Sequence, residues 1–198
     1  STVLAEARQA RWLAVGWAVA AVLSALRSLS QFWQKVEGAR ARGEDFYQFY
    51  VGERITGFLS HWMTFSGVGM SVLLVLLSFL FFAPGLGRRA RVLGWMGVAL
   101  LGASLLVSFT RSIWLATAAA ALYLVWQWRK KWLLAAPVVA VVALAAAPDA
   151  VQRRLGSMVS ARGDNSASAR LIMWRTGWRM IQARPLVGVG PEQVGPQF

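Results

Sequence analysis

The residues of this chain that water rejects arrive in long runs. Blocks of about 16 to 25 apolar residues are separated by short polar segments, and a run of that length lets a helix cross a hydrocarbon layer roughly 30 Å thick. Backbone placed in such a layer finds no water, so each N–H and C=O must be satisfied within its own helix or in a closed barrel. Composition points the same way: 57% of residues are hydrophobic and 15% charged, with mean hydropathy +0.50, outside the usual balance of a soluble domain. The expected fold is all-α, a polytopic transmembrane helical protein with about five spans.

The expected spans are Trp12–Leu29, Phe58–Phe82, Val92–Phe109, Ser112–Trp128 and Trp132–Ala147, the last bent at Pro137. Arg27 falls in the last turn of the first, where its stem can snorkel to the interface. A polar loop, Ser30–Thr56, joins the first two spans. Residues 148–198 form a polar, extracytoplasmic segment containing an amphipathic helix. Taken together, residues 1–198 are expected to form a single membrane domain, a central piece of a longer chain.

A net charge of +13 and a pI near 11.7 would suggest nucleic acid in a soluble protein. Here the basic residues flank spans, where they face lipid headgroups, so membrane lipids and not nucleic acid are the expected partners. Arg8, Arg11, Arg88, Arg89, Arg91, Arg129, Lys130 and Lys131 share one side with a single acid, Glu6. The positive-inside tendency makes that side cytoplasmic. Counting crossings puts Arg54, Arg111 and Arg170 together on the other face.

Of the 21 basic side chains, 18 are arginine. Arg111 stands between two spans with almost no loop to lift it into water, and charge so close to hydrocarbon is costly without a partner. Arg170 begins a helix running to Ala183, preceded by the potential caps Asp164, Asn165, Ser166 and Ser168. At 100° per residue Leu171, Trp174, Trp178 and Ile181 share its face, as suits a helix lying on the membrane surface. Each arginine also has a plainer reading, an interfacial or first-turn cation reaching solvent. Arg54 guards the entrance to the second span. His61 follows, and a lone histidine near a helix end is more often a packed or interfacial residue than a catalyst. With one histidine and no cysteine, no metal site is expected, and no cofactor motif is visible. What arginines do well is bind phosphate, through paired, charge-assisted hydrogen bonds. Three of them at one membrane face suit an amphiphile with a buried tail and a diphosphate head.

The segments RITGFLSHWMTFSG (54–67), SFTRSIWLA (108–116) and SARLIMWRTGWRMIQARPLVGVGPEQVG (168–195) resemble the O-antigen ligase and O-antigen polymerase C-terminal domain family. The family pattern has an Arg-x-x-Gly-Phe entrance and a Ser-Arg-x-x-Trp-Leu hairpin. An Arg before a Trp-rich amphipathic helix and a Pro-Leu-x-Gly-x-Gly-Pro turn follow. The resemblance implies a bacterial inner-membrane glycosyltransferase of type C-like architecture, multi-pass, acting on its periplasmic face without metal. Its members transfer a glycan from an undecaprenyl diphosphate carrier to an acceptor hydroxyl, on lipid A-core in ligases and on a growing glycan in polymerases. It casts Arg54, Arg111 and Arg170 as diphosphate ligands. The family's general base lies beyond this chain, so the chain is expected to be inactive alone, with His61 a weaker candidate for that role. The alternative classes are a transporter segment, which would need charge at mid-span, and a plain anchor.

Overall fold

A computed structural model describes residues 7–135, 137, 145, 149–159, 165–185 and 188. Among the described residues regular structure is entirely helical: α1 (Ala7–Arg42), α2 (Phe46–Gly52), α3 (Trp62–Phe82), α4 (Arg88–Val107), α5 (Arg111–Trp128), a 3₁₀ turn (Lys130–Ala135), α6 (Asp149–Val159) and α7 (Asn165–Ala183). The chain divides into two compact units, one ending at Leu155 and the other starting at Gly156.

α1, α3 and α4 are long and apolar enough to cross a membrane. α4 packs on both α1 and α3, and α5 packs on α3. The bundle is joined through small side chains. Ala21, Ala25 and Ser28 are buried on one face of α1, where the two alanines meet a cluster of Val72, Leu73, Leu77, Leu101 and Leu105. A Cβ on Gly94 would stand 2.9 Å from Leu80, and one on Gly97 3.3 Å from Leu76. Lipid tails are as apolar as leucine, so close backbone approach of this kind holds membrane helices together where hydrophobic burial cannot. The outward surface is correspondingly apolar: Trp12, Leu13, Leu93, Leu106 and Leu115 are all exposed.

The expected first span ended too early. α1 continues as one helix through Arg42, so its 36 residues extend about 54 Å at 1.5 Å per residue, well beyond the hydrocarbon. Arg27 lies within the helix and not in its final turn. Hydropathy reports only the part of a helix that lipid can hold. The stretch SQFWQKVEGARAR contains no proline and many good helix formers, so the helix runs on. It stops at Gly43, whose φ of +66° closes the end with bonds from Gly43 N to Arg40 O and Glu44 N to Ala39 O.

The remainder of the expected loop is also structured. Asp45 caps α2 by accepting from the Tyr47 and Gln48 N–H groups at 2.8 and 3.2 Å. The expected second, third and fourth spans appear as α3, α4 and α5 with ends shifted by up to four residues, though α5 is not among the described helices that are long and apolar enough to cross a membrane. Arg88, Arg89 and Arg91 are thereby helical and not in a loop. The expected fifth span lies mostly outside the described residues, and its beginning is the 3₁₀ turn. The tail holds α6, which was not anticipated, and α7, which matches the expected helix to Ala183.

Candidate anion site at one end of the bundle

The end of the bundle where α3 and α5 begin is built around buried aromatic residues. Tyr50, Ile55, Phe65 and Phe109 form a closed cluster, joined by Phe32, Phe46, Tyr47 and Val151. The Tyr50 ring lies 5.3 Å from Phe32, 5.1 Å from Phe46 and 5.1 Å from Phe109. Its hydroxyl donates to the Val107 carbonyl, and burial pushes its pKa up. One phenol thus anchors α2 onto the last turn of α4.

That turn leads into Ser108-Phe109-Thr110-Arg111, a reversal too short for ordinary backbone. Phe109 has a φ of +53°, the left-handed region that costs a residue with a Cβ about 1–2 kcal/mol, and it is held there from several sides. The Thr110 and Ser66 hydroxyls are 3.3 Å apart. Trp114 Nε1 donates to Leu105 O at 2.8 Å. Arg154, buried on α6, donates from Nε to Phe109 O at 3.1 Å. Arg111 is the first residue of α5, so the reversal sets where its guanidinium begins.

The loop before α3 is fixed by α1. Gln31 accepts from the Thr56 and Gly57 N–H groups at 3.2 and 3.0 Å and donates to Gly57 O at 3.2 Å. Arg27 Nε donates to the same carbonyl at 3.1 Å, and its guanidinium lies 4.8 Å from the centre of the Phe58 ring. Ser24 Oγ accepts from Phe58 N at 3.2 Å. Gly57 has a φ of +62°, and a Cβ there would fall 2.3 Å from Ser24 Oγ and 2.9 Å from the Phe65 ring. The glycine of the Arg-x-x-Gly-Phe segment is therefore a packing requirement.

Arg54 leads into that loop. Its Nε donates to Val51 O at 3.2 Å, and its guanidinium lies 5.3 Å from the centre of the Trp62 ring. Its pKa is lowered, first by burial, then by the positive charge of Arg154, with Arg111 adding to the same effect and Tyr50 opposing it. A guanidinium stays protonated through such a shift. The physical content is that Arg54, Arg111 and Arg154 are within electrostatic reach of one another in partly desolvated surroundings. Like charges brought together in this way favour an anion between them.

Of the four residues singled out in the sequence, the structure brings Arg54 and Arg111 together and adds Arg154. Arg170 lies on α7 in the second unit and is exposed there, as are Leu171, Trp174, Trp178 and Ile181 of the expected apolar face. His61 caps α3: its Nδ1 accepts from Met63 N at 3.2 Å, and its ring stacks 4.0 Å from Trp62. The Pro-Leu-x-Gly-x-Gly-Pro turn lies mostly outside the described residues. Arg154 escaped the sequence because α6 has no motif. The available signal was an Arg153-Arg154 pair with Val151 on a short amphipathic stretch.

The O-antigen ligase family profile matches residues 96–198, more than half the chain. The chain belongs to the O-antigen ligase family. That family comprises membrane glycosyltransferases of ligase and polymerase type. The match begins inside α4 and takes in Arg111, Arg154 and Arg170, while Arg54 and the Gly57 loop precede it. No curated protein and no solved structure matches the chain.

Proposed function

We propose that this end of the bundle grips the diphosphate of a lipid-linked glycan and assists its transfer to an acceptor hydroxyl, as an O-antigen ligase does with lipid A-core. The observation that carries the reading is the convergence of Arg54, Arg111 and Arg154 beside the start of two helices packed in an apolar bundle. An undecaprenyl tail belongs in lipid along such a bundle, with its phosphates at the level of the arginines. Arg170 is assigned the same phosphate chemistry from its place in the family motif. The opposite end carries Arg88, Arg89, Arg91, Arg129, Lys130 and Lys131, all exposed, which favours placing that end in the cytoplasm and the arginine cluster in the periplasm, with the protein in the bacterial inner membrane.

In the transfer, the acceptor oxygen bonds to the anomeric carbon as the bond from that carbon to the carrier phosphate breaks. The electron pair leaves with undecaprenyl diphosphate. Guanidinium groups already in place stabilise the charge that develops on the departing oxygen without reorganising, which is where electrostatic catalysis acts most strongly. They supply the positive charge that a divalent ion provides elsewhere, so the reaction is assigned as metal-independent. The acceptor proton needs a base within hydrogen-bond reach. His61 fits this poorly: with Nδ1 accepting from Met63, the neutral ring carries its hydrogen on Nε2, and taking up a proton would break the cap.

The test is glycan attachment in cells bearing full-length protein with Arg111→Ala or Arg154→Ala. Loss of the lipopolysaccharide ladder at normal protein level is the expected result, and an undiminished ladder in both variants would sink the reading. Polymerase chemistry uses the same donor. Lipid profiling of a deletion strain separates the two, because a missing ligase leaves long carrier-linked glycan and a missing polymerase leaves short units.

A further inference from the structure

Beside the arginine cluster, the polar extension of α1 and the link from α2 to α3 enclose a groove of about 380 Å3, within the roughly 300–1,000 Å3 range of ligand pockets. Gln31, Gln34, Lys35, Gly38 and Arg42 line one wall, a stripe at helical spacing. Phe49, Glu53, Arg54 and Thr56 line the other. Arg54 thus belongs to both the groove and the cluster.

The lining is neither apolar, as an isoprenoid tail would need, nor purely cationic, as a second phosphate would need. Lys35 and Glu53 are paired at 3.2 Å, which offsets most of their charge while leaving donor and acceptor capacity on both. Gln34 is exposed and offers an amide that can donate and accept. The Gln31 amide is already committed to Thr56 and Gly57 and serves as scaffold. Phe49 adds one aromatic side chain to the lining, with the Arg42 guanidinium over one face of its ring at 5.3 Å. Interspersed donors and acceptors beside an aromatic ring suit a ring of hydroxyl groups, each of which both donates and accepts.

We propose that this groove is a carbohydrate subsite, holding the sugar ring that lies next to the diphosphate gripped at Arg54. The assignment rests on the donor reading above. A ring in that position has two sources: the first sugar of the lipid-linked donor, or the terminal sugar of the acceptor.

The experiment uses the full-length protein in membranes with Gln34→Cys as its single reporter thiol, residues 1–198 containing no cysteine and any cysteine elsewhere in the protein being replaced by serine. Maleimide labelling is timed with bare undecaprenyl diphosphate, with the glycan-bearing carrier, and with lipid A-core. Slowed labelling by the glycan-bearing carrier but not by the bare carrier assigns the donor sugar. Slowed labelling by lipid A-core assigns the acceptor sugar. Equal protection by the bare carrier, or protection by none of the three, overturns the proposal. In steady-state assays Gln34→Ala and Glu53→Gln should raise KM for the protecting substrate about 5- to 30-fold with kcat near wild type, as expected for loss of binding hydrogen bonds. A uniform loss of kcat with a lowered Tm would mark these residues as structural and also overturn it. If Arg111→Ala abolishes transfer while the groove variants behave as wild type, the subsite alone fails. If Arg111→Ala transfers normally, the donor reading fails first and the subsite with it.

Discussion

Both ends of the helical bundle are rich in cations, yet they are built differently. In the first turn of α4 and just beyond α5, six basic side chains stand exposed, and the packing nearby is aromatic, with Phe81 stacked on Trp128 at 4.8 Å. At the other end Arg154 is only 7% exposed, and Arg54 and Arg111 are partly buried. There Arg54 and Arg154 are aimed by backbone carbonyls, and the loop carrying Arg54 is locked by Gln31, Arg27 and Ser24. Charge count alone does not distinguish the ends. Orientation and desolvation do, because a cation free in water gains little from an anion that a fixed, partly buried one holds strongly.

The sharpest way to break this contrast is to neutralise one arginine at each end. Arg111→Ala or Arg154→Ala is expected to lower glycan transfer by about 10²- to 10³-fold, the scale of losing one preorganised charge-stabilising group, whereas Arg89→Ala should transfer at close to the wild-type rate. Lysine at 111 should rescue poorly, since an ammonium cannot form the paired bonds to phosphate. Equal losses at both ends, read from carrier-linked glycan consumption in membranes, would erase the distinction.

Gly57→Ala should come next in size. The added Cβ meets Ser24 Oγ and the Phe65 ring at a left-handed position, so a marked fall in Tm and in folded yield is expected, with a smaller fall in activity per folded molecule. Gly85 also has a positive φ, +73°, but nothing crowds it; Gly85→Ala should cost only the backbone strain, about 1 kcal/mol. Thermal unfolding in detergent compares the two directly.

Tyr50→Phe should have a moderate effect. It leaves the Val107 carbonyl without its phenolic donor, a loss of about 1 kcal/mol for a part-buried hydrogen bond, and loosens the reversal that positions Arg111. KM for the lipid-linked donor should rise more than Tm falls. The smallest change is expected for Asp45→Asn, which keeps a side-chain cap on α2 and removes only the 3.1 Å ion pair with Arg153, whose partners are both well exposed. If it impaired transfer as strongly as Tyr50→Phe, surface pairing and not the aromatic core would be what docks α6.

The sequence by itself determined the class of protein and the placement of α3, α4, α5 and α7, because apolar run length and helix caps are local properties. It also put Arg54 and Arg111 on one face, since counting crossings needs no knowledge of packing. It misjudged α1, because hydropathy is blind to a helix that leaves lipid and continues in water. It missed Arg154, because nothing local marks a residue whose partner is the Phe109 carbonyl, 45 positions away. Only the tertiary structure decided that Gly57 must be glycine, that His61 serves as a cap, and that Arg154 joins Arg54 and Arg111. Each of these depends on which atoms long-range packing brings within a few ångströms, and spacing along the chain does not carry that information.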